Sequence, residues 1–166
     1  GHLLFATFHA NDAATTIPRL LDMGIEPYLL ASTLDLIIAQ RLVRRICSGC
    51  VYSLELDRSK YEKLIPDFDR FFSKGQNTVY AGKGCQICNG TGYHGRIAIY
   101  EFIKTSPELQ DLILKAPSDK QIWKRVESQG AKSMFEDGIL KVKTGVTTLD
   151  EVLRVSNPPA KTILTV

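Results

Sequence analysis

No apolar run in this sequence approaches the ~18 residues that cross a bilayer. The densest stretch, Tyr28–Ile38, is interrupted by Ser32, Thr33 and Asp35. The start carries no basic n-region, apolar h-region and cleavage site, so nothing in it reads as a secretory signal. Net charge is scant too. Lys and Arg number 21 against 18 Asp and Glu, and a formal +3 does not by itself point to nucleic acid. Internal repeats and low-complexity tracts are missing, which excludes a fibrous architecture. There is also no initiator Met and no polar leader. Gly1-His2-Leu3-Leu4-Phe5-Ala6-Thr7-Phe8-His9 opens directly on a β-type pattern. A buried strand needs neighbours, so the opening is expected to have been cut from within a larger domain.

What remains is an ordinary globular composition. The 166 residues (18.5 kDa) are 44% hydrophobic and 23% charged, enough for one domain or one with a small appendix. Cysteine supplies the sharpest signal. Cys47 and Cys50 form one C-x2-C pair, and Cys85 and Cys88 form a second after 34 intervening residues. A two-residue gap lets one tight turn present both sulfurs to a single ion at ~2.3 Å, and two such pairs give a tetrahedral four-cysteine zinc site. Gly49, Gly84, Gly90 and Gly92 flank the sulfurs, permitting positive φ and bringing backbone N–H groups to the thiolates. Four thiolates and one Zn²⁺ sum to −2, so cationic neighbours are expected from Arg44, Arg45, Lys83 and Arg96. Two disulfides or a redox dithiol are the competing readings. The missing secretion signal disfavours the first, and a thioredoxin-like site needs one pair on a βαβ unit. With no ligand position left open, the ion would be structural. Residues Gly84–Gly92 also fit the C-x-x-C-x-G-x-G knuckle of J-domain co-chaperones, a local likeness of turn geometry.

Along the chain, Leu3–Phe8 predicts a short buried strand. His9–Asp12 predicts a turn leading into a helix that starts near Thr15 or Thr16, given Pro18, and stops at Gly24. Pro27 suits the first position of a second helix, with Leu30, Leu34, Ile37 and Ile38 as its apolar face. Gln40–Ile46 fits either the end of that helix or a separate strand. Residues 51–78 form a polar stretch, with Phe68, Phe71 and Phe72 on a short helix. Arg96–Ile103 predicts a strand. Beyond it lie short capped helices. Ser106-Pro107-Glu108 opens one. Ser118–Gln121, Ser133–Glu136 and Thr148–Glu151 read as capping boxes, with Gly130 and Gly145 as stops. Leu112, Ile113, Ile122, Trp123, Val126, Ile139, Leu140 and Val142 sit at helical spacing and are expected in a core.

Several stretches together resemble the secretion and pilus assembly ATPases, the motors of type II secretion and type IV pilus systems. Gly1–Ala13 is similar to the family's His box. Arg19–Pro27, Ala39–Cys47, Gly90–Arg96 and Thr147–Val155 continue the likeness, which runs from residue 1 to about 156. The four cysteines match the secretion and pilus-extension branch. The resemblance implies an α/β fold: the trailing half of a RecA-like P-loop ATPase domain, an inserted tetracysteine zinc subdomain and a small all-helical C-terminal subdomain. The implied segments are 1–46 (core with His box), 47–95 (zinc), 96–105 (returning core strand), 106–156 (helical) and 157–166 (tail). It also implies that Gln40–Ile46 is a strand paired with Arg96–Ile103.

The same resemblance implies roles. His2 and His9 would approach the γ-phosphate side of ATP, where an imidazole can sense or polarise it; the plain alternative is a strand-end histidine with an ordinary hydrogen bond. Arg41 would touch nucleotide or a neighbouring subunit, or else belong to a solvated basic patch. Arg44 and Arg45 fit that patch, or counter-charges for the thiolates; Arg96 would support the strand and zinc loop. The family's Walker A loop and Walker B glutamate lie before the His box, and no G-x-x-x-x-G-K-[ST] occurs here. This chain alone is therefore expected to be inactive, with ATP and Mg²⁺ bound only by the full-length protein. Implied partners are the other subunits of a hexameric ring and an inner-membrane platform protein, with no specific nucleic acid. The implied location is cytoplasmic, peripheral at the inner membrane. A zinc-ribbon binding module for nucleic acid or protein is the other class of function. The few aromatics near the knuckles and the dispersed basic residues argue against it.

Overall fold

The computed structural model describes residues 2–73, 75 and 78–159. The expected tail 157–166 therefore lies mostly outside the described residues. In chain order the elements are α1 (Thr16–Asp22), α2 (Pro27–Thr33), β1 (Leu36–Ile46), β2 (Val51–Glu55), α3 (Arg58–Tyr61), α4 (Phe68–Phe71), β3 (Thr78–Gly82), a 3-10 turn (Gln86–Cys88), β4 (Tyr93–Lys104), α5 (Pro107–Ile113), α6 (Asp119–Ser128), α7 (Met134–Lys143) and α8 (Leu149–Val155). β1 pairs with β4 and β2 with β3, making two two-stranded sheets of a mixed α/β fold. Gln40–Ile46 is thus strand, as the family resemblance implies.

The chain divides into two compact units, residues 1–39 with 101–132, and residues 40–100 with 133–166. In the first, Ala13, Ala14 and Ile17 pack with Leu30 and Ala31 of α2, Ile37 and Ile103 of the strands, and Leu109, Ile113, Ile122 and Val126 of α5 and α6. Leu112 and Trp123 cover this core as partly buried residues. Thr15 occupies the N-cap position of α1, and Gly24 follows its C-cap at φ +85. α2 stops at Thr33, so Ile37 and Ile38 belong to β1 rather than to a helix face. Two β-branched residues side by side favour the pleated strand over a continued helix.

The opening run corrects a second expectation. Residues 2–10 form no strand, and Leu3, Leu4 and Phe5 are 75%, 84% and 86% exposed. No strand pairs with this run among the described residues, and an isolated strand leaves its ladder groups unmet.

The second unit builds its core from residues 56–72 and Val79, within a stretch expected to be polar. Leu56, Tyr61, Ile65, Phe68, Phe71, Phe72 and Val79 pack with Phe135, Ile139, Val142, Leu149 and Val152 of α7 and α8. Phe68 stacks on Phe72 at 5.0 Å, and Phe71 meets Phe135 edge-on at 5.3 Å. Ser118 and Ser133 make the expected reciprocal boxes with Gln121 and Glu136. Leu140 does not join the core. It is 47% exposed because α7 buries Met134, Phe135, Gly138, Ile139 and Val142, and a 100° step turns Leu140 away.

Candidate metal centre

The short β2–β3 ladder prepares the site. Val51 lies opposite Gly82 and Glu55 opposite Thr78, so the turn before β2 and the turn after β3 emerge side by side. Those turns carry the two cysteine pairs. The Lys83 N–H donates to the Cys50 carbonyl at 3.0 Å, and the Cys47 N–H donates to the Gly92 carbonyl at 2.9 Å. At the crossing only glycine fits. A Cβ on Gly92 would lie 2.5 Å from the Gly82 carbonyl oxygen, and Gly92 itself sits at φ +76.

All four sulfurs converge. Their ligand atoms lie within 4.8 Å of one another, and none is in a disulfide. The Cys47–Cys85, Cys50–Cys88 and Cys85–Cys88 sulfur separations are 3.8, 3.9 and 3.8 Å. Tetrahedral ligation at ~2.3 Å requires edges of about 3.8 Å, so the donor set fits a single zinc-sized ion. Backbone N–H groups of Gly84, Cys85 and Gly92 point at the sulfurs of Cys50, Cys88 and Cys88, at 3.3, 3.2 and 3.3 Å. Burial resists ionisation of Cys88, yet the Cys85 and Gly92 N–H groups and the neighbouring thiols take it down to about 6. Burial raises Cys50 to about 11, against one N–H from Gly84 and with Cys88 beside it. Cys47 is likewise raised by burial. A divalent ion would replace the protons of these crowded thiols and satisfy their charge together.

Two of the expected cationic neighbours are otherwise engaged. Arg44 lies 4.1 Å over the Tyr93 ring and pairs with Glu151 at 2.8 Å, while Lys83 lies 5.3 Å from the Tyr52 ring centre. The Arg44–Glu151 pair escaped sequence reading because Thr148–Glu151 fits a capping box. Thr148 does cap α8 through its hydroxyl, but the Glu151 carboxylate turns instead to Arg44 and Arg154. The i,i+3 spacing of Glu151 and Arg154 is the one signal for that pairing in the sequence.

His2 and His9 lie exposed on the irregular opening segment. Arg19 donates to the His9 carbonyl at 2.6 Å, and Asp12 accepts from the Thr15 N–H at 2.8 Å. The buried Glu101 accepts the Ala13 N–H at 2.9 Å, a tie no sequence pattern suggested. Arg41 stands half-buried on the part of β1 in the second unit and donates to the Gln40 carbonyl at 3.2 Å. The four cysteines are therefore assembled into one cluster, whereas the histidines and Arg41 stand on separate units.

A family model described as type II/IV secretion system protein matches residues 1–154. The chain belongs to this family. It is 39% identical to the type II secretion system ATPase E of Vibrio cholerae over 158 residues, 94% of this chain and 30% of that protein. The type IV pilus assembly ATPase PilB of Thermus thermophilus is 39% identical over 153 residues, 92% of this chain and 17% of that protein. TfpB of Acinetobacter baylyi, also a type IV pilus assembly ATPase, is 37% identical over 155 residues, 93% of this chain and 26% of that protein. The chain spans less than a third of the length of these relatives. Among the described residues no helix is long and apolar enough to cross a membrane.

Proposed function

We propose that this chain is the C-terminal part of a hexameric ATPase that powers type IV pilus assembly or type II protein secretion. The observation that carries the reading is similarity over residues 1–154 to motors of both kinds. In it, α1, α2, β1 and β4 form the trailing half of a RecA-like core. The segments 47–95 and 106–156 are the zinc and helical subdomains. Cys47, Cys50, Cys85 and Cys88 hold a structural Zn²⁺ that fixes the two knuckles. His2 and His9 face the γ-phosphate of ATP, and Arg41 reaches nucleotide or the adjoining subunit. Mg²⁺ and the phosphates are held by residues preceding His2 in the longer protein. The ring works at the cytoplasmic face of the inner membrane on a platform protein.

The test compares this chain with the longer reading frame. The 166-residue chain is expected to show no ATP turnover, since it has no P-loop amides or lysine. The longer protein should hydrolyse ATP, and His9→Ala in it should lower kcat by about 10²-fold, the usual cost of one aligned polarising group. Turnover by the short chain, unchanged in His9→Ala, overturns the reading.

A further inference from the structure

The second unit holds an arginine-lined recess that the motor chemistry above does not use. Leu42 and Arg44 on β1, Arg96 on β4 and Arg154 on α8 line it. Two of these arginines, Arg44 and Arg154, are 51% and 53% exposed and pair with Glu151, which is 2% exposed. One carboxylate oxygen accepts from Arg44 Nη2 at 2.8 Å and Arg154 Nε at 3.0 Å. The other accepts from the Arg44 backbone N–H at 2.8 Å and Arg154 Nη2 at 2.9 Å. A carboxylate offers about four lone-pair sites, so Glu151 is saturated. The Tyr93 ring under Arg44 and the Leu42 carbonyl, 3.5 Å from Arg154 Nη2, fix the two guanidinium planes further.

Arg96 is left without a counter-ion. Among the described residues it makes no ion pair or hydrogen bond, though it faces the same recess as two anchored arginines. Three guanidiniums over one carboxylate leave a local charge of +2. Arg44 and Arg154 keep N–H donors that Glu151 does not occupy, held in fixed planes. Such an arrangement suits a doubly charged oxyanion bound by several forked donors at once.

We propose that this recess is a binding site for a phosphate group, with Arg96 as its free contact and Arg44 and Arg154 as contacts aimed by Glu151. A phosphate group carries close to two negative charges at neutral pH, which matches the unbalanced charge of the recess.

The experiment is a titration of the full 166-residue chain with inorganic phosphate and, separately, with ADP, at constant ionic strength in chloride. Binding is followed by NMR shifts of arginine side chains and by calorimetry. Saturable binding of phosphate, weakened at least tenfold in Arg96→Gln, supports the site. Among the described residues Arg96 has no partner, so that variant is expected to keep the thermal stability of the parent. Arg96→Lys should recover only part of the affinity, because an ammonium lacks the fork. Tighter binding of ADP than of phosphate, with the same Arg96 dependence, assigns the group to a nucleotide; equal binding assigns it to free phosphate. No saturation with either probe, or binding unchanged in Arg96→Gln, overturns the proposal.

Discussion

Glu151 shows how much one side chain can organise. Its burial alone would favour the neutral acid, but hydrogen bonds from Arg154 and Arg44 hold it down at about 2, against an ordinary 4.5. A folded-state value below the unfolded one adds stability above pH 4.5 and loses it as pH falls toward 2. Glu151→Gln is therefore expected to cost roughly 2 kcal/mol at pH 7, after allowing for the solvent exposure of both arginines. The cost should shrink steadily below pH 4.5, readable by urea denaturation across pH. A pH-independent difference would mean that packing, not charge, carries the residue. At Cys50, replacement by Ser should abolish binding of about one zinc per chain and lower Tm, checked by metal analysis and thermal melts. A chain that keeps both its metal and its Tm would refute a four-thiolate site.

Among the elements, those bounded by chemistry were readable in advance and those bounded by neighbours were not. Ser118 and Ser133 announced α6 and α7 because a cap is settled within four residues. The cysteine spacing announced the knuckles for the same reason. Leu3–Phe8 misled because an apolar run becomes a strand only beside another strand. The core of the second unit was hidden by the charged residues between its aromatics: Phe68, Phe71 and Phe72 bury while Asp69 and Arg70 face out. Arg70 then reaches Glu136 on α7 at 2.8 Å. The Gly82–Gly92 crossing also needed coordinates, since glycines 10 positions apart say nothing of contact. It makes a firm prediction for these elements. Gly92→Ala places a methyl against backbone that no rotamer change can move, in a φ range that alanine dislikes. A loss of about 3 kcal/mol or more is expected, together with weakened zinc retention against a chelator. Unaltered retention would show that the knuckles do not depend on this approach.

For the whole molecule, the two cores are expected to behave as two bodies of stability. The zinc knuckles belong to the second unit, so metal removal should act there first. Hydrogen exchange after chelation is expected to rise at Cys47, Lys83, Gly84 and Gly92, whose N–H groups serve the knuckles, while α5 and α6 in the first unit keep their protection. Equal acceleration in both units would show that the ion supports the entire chain rather than one half of it.

The loop before α8 has a bearing on how the chain comes into being. The Ile46 N–H donates to the Val146 carbonyl, and the Thr147 hydroxyl donates to the Arg44 carbonyl, 103 positions earlier. On a ribosome the first of these segments emerges long before the second. The end of β1 must wait, its polar groups met by water, until nearly the last helix has been made. A nascent chain whose Val146 has not yet left the exit tunnel would therefore carry a ragged strand end available to any passing edge.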